Sequence, residues 1–192
     1  VELDKNYALV ISTNSGLRWE RSASSARYTC LKPYRIKITG RTKHFINVFG
    51  EELVVENAED ALKVACSKTN AVITDFTVAP IFMNGNKSGG HEWVIEFKKQ
   101  PENSDKFSIY LDKTLKKINS DYEAKRYKDM TLSPPKIHQA KSGLFYQWLK
   151  KNNKLGGQHK VPRMSNKRDL LEELLLLNTI ENTNFAIDEI QV

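Results

Sequence analysis

The chain has 192 residues, 40% of them hydrophobic, and a formal charge of +7. That length suits one domain, or one domain with a piece of another, and leaves enough apolar residues for a real core. A positive balance suits nucleic acid or an anionic nucleotide. The lysines are spread along the chain rather than gathered in one block, however, so a nucleic-acid partner is not expected. Two cysteines, Cys30 and Cys66, match no zinc spacing and are too few for a disulfide framework. Free thiols and a cytoplasmic setting are the expectation. Val1–Lys5 does not read as a signal peptide, and no apolar run is long enough to span a membrane. A sequon at Asn86–Ser88 carries little weight in such a chain.

In chain order, Tyr7–Thr13 is β-rich and stops at the turn signal Asn14-Ser15-Gly16. Tyr34–Thr39 alternates apolar and basic residues, which predicts a half-buried strand ended by Gly40. His44–Leu53 reads as a short strand pair turning at Gly50. Glu56–Thr69 is a helix, with Ala58, Leu62, Ala65 and Cys66 at helical spacing and acidic residues in its first turn. Ala71–Met83 is a strand with Pro80 near its end or at an edge. Gly85–Gly90 is a hairpin loop, and His91–Lys98 is the return strand, alternating Trp93, Ile95 and Phe97 with Glu92 and Glu96. Ser104–Asn119 is a helix with Phe107, Leu111, Leu115 and Ile118 on one face, and Asp121–Asp129 holds another short one. Pro134-Pro135 breaks the pattern before a strand at Lys136–Ala140. Gly143–Asn152 is an amphipathic helix, and Leu155–Arg163 a polar loop. Ser165 or Asn166 is placed to cap a final helix through Leu177. The tail from Asn178 looks poorly specified. The order predicts an α+β fold, a small mixed β-sheet with helices packed on one side.

The most informative stretch is Gly40-Arg41-Thr42-Lys43, with Ile46, Gly50, Leu53 and Glu59 following at fixed spacing. It resembles, without a gap, the junction motif of adenylate-forming enzymes. There a Gly-Arg turn with Asp or Lys at the hinge joins a large ATP-binding domain to a small mobile one. Three further segments are similar to the auxin-responsive-promoter family of acyl-acid-amido synthetases. They are Tyr7–Val10 with Gly16-Leu17, then Asn119–Tyr122 with Arg126, and Gly143–Phe145 with Gln158–Arg163. The wording Lys43–Asn47 is closest to bacterial members.

The resemblance implies that residues 1–40 are trailing strands of the large N-terminal domain and residues 41–192 the mobile cap. It implies an ATP-dependent ligase that makes an acyl-adenylate and then an amide with an amino acid, using ATP and Mg in the full-length enzyme. No Ser/Thr/Gly-rich phosphate loop is visible, so this portion is expected to be inactive alone and to need no cofactor. Gly85–Gly90 lacks the Walker order and precedes a strand. Where the family has Gly-Asp for the ATP ribose, the count from Gly16 lands on Ala23 and Ser24. A hydroxyl cannot replace a carboxylate that accepts two ribose hydrogen bonds. The resemblance holds on both sides of residues 18–27 at unchanged length, which points to two compensating frameshifts.

Arg41 and Lys43 are the hinge candidates. Arg41 either reaches phosphate, as a nucleotide-binding residue, or braces the turn through carbonyls. Lys160, the candidate catalytic residue, and Arg163, a second nucleotide-binding candidate, either contact phosphate or carboxylate or belong to a basic loop that packs. His159 reads as packing, Cys66 as core, and the four histidines have no metal spacing. The missing large domain is the expected partner, with the exposed first strands also able to pair with a second copy. The competing reading is a non-catalytic basic module for nucleic acid or a protein partner.

Overall fold

The structure, a computed structural model, describes residues 1–3, 5–11, 20–41, 45–85, 87–156 and 160–188. The chain begins with an antiparallel sheet of β1 (Asn6–Ile11), β2 (Glu20–Leu31) and β3 (Tyr34–Arg41), with β2 in the centre. Tyr28 meets Tyr7 and Tyr34 edge to face at 5.8 and 5.7 Å, an aromatic row across the three strands. The long β2 has no forecast in the sequence, because its Arg/Ser/Ala run lacks apolar alternation. The turn expected at Asn14–Gly16 lies outside the described residues.

Two expectations for β3 fail. Gly40 does not end the strand: it pairs with Ser25 and the strand runs on to Arg41, past a register shift between Ser25 and Ala26. Nor is the strand half-buried. Tyr34, Ile36 and Ile38 are 71, 49 and 56% exposed.

Next comes the hairpin of β4 (Phe45–Ile46) and β5 (Leu53–Val54), followed by α1 (Val55–Thr69). Gly50 turns the hairpin at φ 81°, a backbone region that costs glycine little. Ile46 faces Leu53 across the pair, and both are fully buried. The Asn57 side chain accepts the Val54 amide at 3.2 Å and so starts the helix.

The main sheet consists of β6 (Val72–Ile81), β7 (Gly90–Lys99) and β8 (Lys136–Ala140). β6 runs antiparallel to β7, and β8 parallel to it. The return of β8 is carried by α2 (Ser104–Ile118), α3 (Ser120–Lys125) and a 3₁₀ turn at Tyr127–Asp129. After it come α4 (Leu144–Lys151) and α5 (Asp169–Asp188).

Alternation places Phe76, Val78, Trp93, Ile95 and Phe97 on one face of this sheet, in one core with α1 and α2. Ala79, Val94 and Ala140 lie on the other face, in a second core with Leu144, Phe145, Trp148, Leu171 and Leu174 from α4 and α5. The α+β class therefore stands, but helices cover both faces rather than one. The sequence misleads here because Glu92 and Glu96 give β7 a polar face, and a polar face reads as solvent-exposed. Both glutamates are in fact buried.

The C-terminal expectations also shift. Asn166 does not cap a helix; it accepts the Asn47 amide at 3.0 Å and donates to the Phe45 carbonyl at 2.9 Å. The final helix instead starts at Asp169 and continues through the segment from Asn178, to Asp188. Asn178 gives it an anchor, accepting the Lys141 amide and donating to the Gln139 carbonyl, each at 3.0 Å.

One glycine is fixed by packing. Gly89 lies under the Phe49 ring, so that a Cβ would overlap the ring atoms. Its amide donates to Thr131 and its carbonyl accepts from Ser133, which leaves the backbone no room to retreat. Gly89→Ala is expected to cost about 1–3 kcal/mol of stability by overpacking. Phe49→Leu in the same chain should recover part of that loss in urea unfolding. Equal destabilisation with and without Phe49 would refute the contact.

Candidate functional site

The junction segment lies between the two halves of the fold. Gly40 and Arg41 form the last two residues of β3, and Arg41 pairs with Ser24 of β2. The backbone therefore brings the second junction residue beside Ser24, where the family's ribose carboxylate was expected. Lys43 lies outside the described residues, as does His159.

From Phe45 onward the chain is bound tightly to the main domain. Asn166 holds Phe45 and Asn47. Asn119 donates to the carbonyls of Glu51 and Glu52 at 3.0 and 3.3 Å, while its own oxygen accepts the Tyr122 amide at 2.8 Å. Glu51 is fully buried; Oε1 lies 2.9 Å from His91 Nε2, and Oε2 accepts the Phe49 amide at 2.7 Å. Burial alone would raise the Glu51 carboxyl, but the His91 bond and the backbone amides outweigh it and hold the group below its ordinary value. His91 stacks on Tyr122 at 5.6 Å.

Behind that stack lies a buried ion pair. Tyr122 donates its hydroxyl to Asp112 Oδ1 at 2.8 Å. Arg126 Nε and Nη2 bind the two Asp112 oxygens at 2.8 and 2.9 Å, and Nη1 donates to the Leu132 carbonyl at 2.7 Å and to Asp129. Asn119, Tyr122 and Arg126, three residues of one sequence motif, thus brace the hairpin that follows the junction.

Lys160 and Arg163 flank the other edge of β6. The Arg163 carbonyl accepts the Val78 amide at 3.0 Å, the Ser165 amide donates to Val78 at 3.1 Å, and the Thr77 hydroxyl donates to Pro162 at 2.7 Å. The loop is therefore a fourth, very short parallel partner of the sheet. Arg163 Nη1 donates to Asp75 Oδ1 at 2.6 Å, and its guanidinium sits 4.6 Å above the Phe76 ring. Burial raises the Asp75 carboxyl despite the Arg163 and Lys160 charges near it. Lys160 is exposed. Lys160 and Arg163 thus share Asp75 as a neighbour, whereas Arg41 ends the first sheet. Asp75 was missed by sequence reasoning: a lone acidic residue inside an apolar strand carries no motif, and only its burial marks it.

Residues 56–169 match the GH3 family C-terminal domain, which is more than half of the chain. The chain belongs to the GH3 family. Among solved structures it is similar to a GH3.15 acyl acid amido synthetase, with a TM-score of 0.70 and 21% identity over 93% of this chain and 34% of that one. It is also similar to AtGH3.15 acyl acid amido synthetase in complex with 2,4-DB, with a TM-score of 0.69 and 20% identity over 92% and 33%. This GH3 chain thus spans about a third of the length of these synthetases. No curated protein matches its sequence.

Among the described residues no group of acidic, histidine or cysteine side chains could hold a metal ion, and no helix is long and apolar enough to cross a membrane. The histidines that fall among them serve structure. His91 is paired with Glu51, and His138 Nε2 lies 2.7 Å from Glu92 Oε1. Cys66 is half-buried on α1 against the first core, and burial raises its thiol.

Proposed function

We propose that this GH3 chain works as the small C-terminal part of an ATP-dependent acyl acid amido synthetase, closing over a large N-terminal domain. The supporting observation is the reach of the structural match. It takes in 93% of the chain, more than the family domain at 56–169, and so includes strands that precede the junction. In this reading residues 1–40 belong to the large domain, and rotation at Arg41 and Lys43 re-presents the small domain between adenylate formation and amide formation. The hairpin braced by Asn119, Asn166 and Glu51 is the rigid arm that transmits the rotation.

ATP and Mg belong to the whole enzyme in this proposal. The sequence has Ser24 where the resemblance puts the ribose carboxylate, and a hydroxyl is a poor substitute there, so the large domain is the proposed source of the ATP contacts. Lys160, exposed on a loop fixed to β6, is the residue proposed to meet phosphate oxygens on closure. Arg41 supports it from the junction, while Arg163 holds its loop to Asp75 and Phe76. The large domain is the proposed occupant of the exposed stripe Tyr34, Ile36 and Ile38, and a cytoplasmic bacterial enzyme is the proposed setting.

The locus tests this. Its coding DNA upstream should continue in frame into a Ser/Thr/Gly-rich phosphate loop, and the whole product should form amides from ATP, acid and amino acid. Lys160→Ala in that product is expected to lower kcat at least about tenfold, or some 1.4 kcal/mol of barrier, with the KM for the acid little changed. An in-frame start at Val1, with steep salt-dependent RNA binding, would replace this reading by the non-catalytic basic module.

A further inference from the structure

A groove of about 370 Å³ opens between α1 and the first half of β6. Leu62 and Cys66 from α1, Ala71 from the turn, and Ile73 and Phe76 from β6 make its apolar floor, and Glu59, Lys63, Thr74 and Arg163 stand around it. The position of Arg163 is over-determined: Asp75 takes Nη1, Phe76 lies under the guanidinium, the Arg163 carbonyl and the Ser165 amide are bonded to Val78, and the Pro162 carbonyl accepts the Thr77 hydroxyl. Among the described residues, Arg163 Nε and Nη2 take no partner. A rigid fork with donors to spare therefore stands beside an apolar trough, and its side-chain entropy is already spent.

We propose that this groove binds a small monocarboxylate with an apolar body, its carboxylate on Arg163 and its body on Leu62, Cys66, Ala71 and Phe76. The chemistry selects one negative charge. Lys63 is taken by Asp60 at 2.9 Å, which leaves one fixed cation, and Glu59 stands on the rim against a second ligand charge. A phosphate dianion would meet too few donors. A nucleoside would lay its polar edges on a floor that offers no partners. The volume falls in the range of small-molecule sites, about 300–1,000 Å³. Carboxylate bonds to a guanidinium are charge-assisted and stronger than neutral ones. The inference does not depend on the proposed ligase activity.

The probe is octanoate, compared with 1-octanol and octyl phosphate, on the whole chain carrying Cys30→Ser so that Cys66 is its one thiol. Octanoate is expected to slow maleimide labelling of Cys66 and to bind at least about tenfold tighter than 1-octanol, a difference of some 1.4 kcal/mol. Arg163→Gln should erase that preference while leaving octanol binding intact. If Arg163→Gln unseats its loop, Thr74→Trp, at an exposed strand position on the groove wall, tests the same point by blocking octanoate with the Asp75 pair left in place. Equal affinity for 1-octanol, tighter binding of octyl phosphate, or unchanged Cys66 labelling would each overturn the assignment.

Discussion

Arg126→Ala is expected to remove about 3–5 kcal/mol of folding stability, the range found when one partner of a buried ion pair is deleted. That is a large share of the roughly 5–15 kcal/mol that holds a domain folded. The guanidinium is almost fully buried and satisfies both Asp112 oxygens, the Leu132 carbonyl and Asp129. Alanine leaves Asp112 buried with only Lys116 and Tyr122 for company. Arg126→Lys should rescue little, because one ammonium cannot span two carboxylate oxygens and a carbonyl at once.

The damage should also travel. Tyr122 stacks on His91, His91 holds Glu51, and Glu51 holds the Phe49 amide, so loosening Asp112 loosens the arm that follows the junction. Amide exchange is therefore expected to rise first at residues 47–53. The pH dependence has a definite sign. Burial would raise the Asp112 carboxyl, but bonds from Arg126, Lys116 and Tyr122 outweigh it and hold the group below its ordinary value. The stabilisation is thus complete above the unfolded-state pKa and is lost as pH falls through the lower folded value. Arg126→Ala should flatten that acid limb. A loss under about 1 kcal/mol in urea unfolding would mean the pair merely offsets its own desolvation.

Much of this was legible in the sequence, for identifiable reasons. The junction spacing could be read because its members have separate structural duties. Ile46 and Leu53 fill the core, Gly50 takes the positive φ, and Glu59 starts on the exposed side of α1. Helices α1 and α2 could be read because Ala58, Leu62 and Ala65, and Phe107, Leu111 and Leu115, keep the helical period on a buried face. Ile118 breaks the second stripe, since it already lies 40% exposed at the end of α2. The polar partners were not legible. Asn166 looks like a helix cap in one dimension but is a tether across 119 and 121 residues, while Asn119 accepts the Tyr122 amide at the start of α3. Of the site candidates, Arg163 is placed by Asp75 and Phe76, partners with no sequence signature. The match of Arg126 to the family pattern gave its position but not its role as a buried strut.

Glu92 should dominate the acid behaviour of the other core. It is 3% exposed in the central strand and is met by three side chains: Lys136 at 2.8 Å, His138 at 2.7 Å and Arg168 at 2.7 Å. Burial alone would raise its carboxyl; the bonds from Lys136, His138 and Arg168 overcome that and bring it from 4.5 down to about 2. A carboxylate with a depressed folded pKa stabilises fully above its unfolded value and loses that contribution as pH falls through the folded one. The window is therefore pH 4.5 down to about 2, and the shift corresponds to about 3 kcal/mol. Glu92→Gln keeps the shape but not the charge. Above pH 5 the variant should be less stable by several kcal/mol, because Arg168, bonded also to the Pro80 carbonyl and Glu172, keeps its burial and loses its main counter-charge. Urea unfolding at a series of pH values separates the cases. The gap between wild type and Glu92→Gln should shrink by about 3 kcal/mol between pH 4.5 and pH 2. Parallel curves across that window would show that Glu92 is not the titrating group, and that the first turn of α5 is held to the sheet by packing of Leu171 and Leu174 rather than by charge.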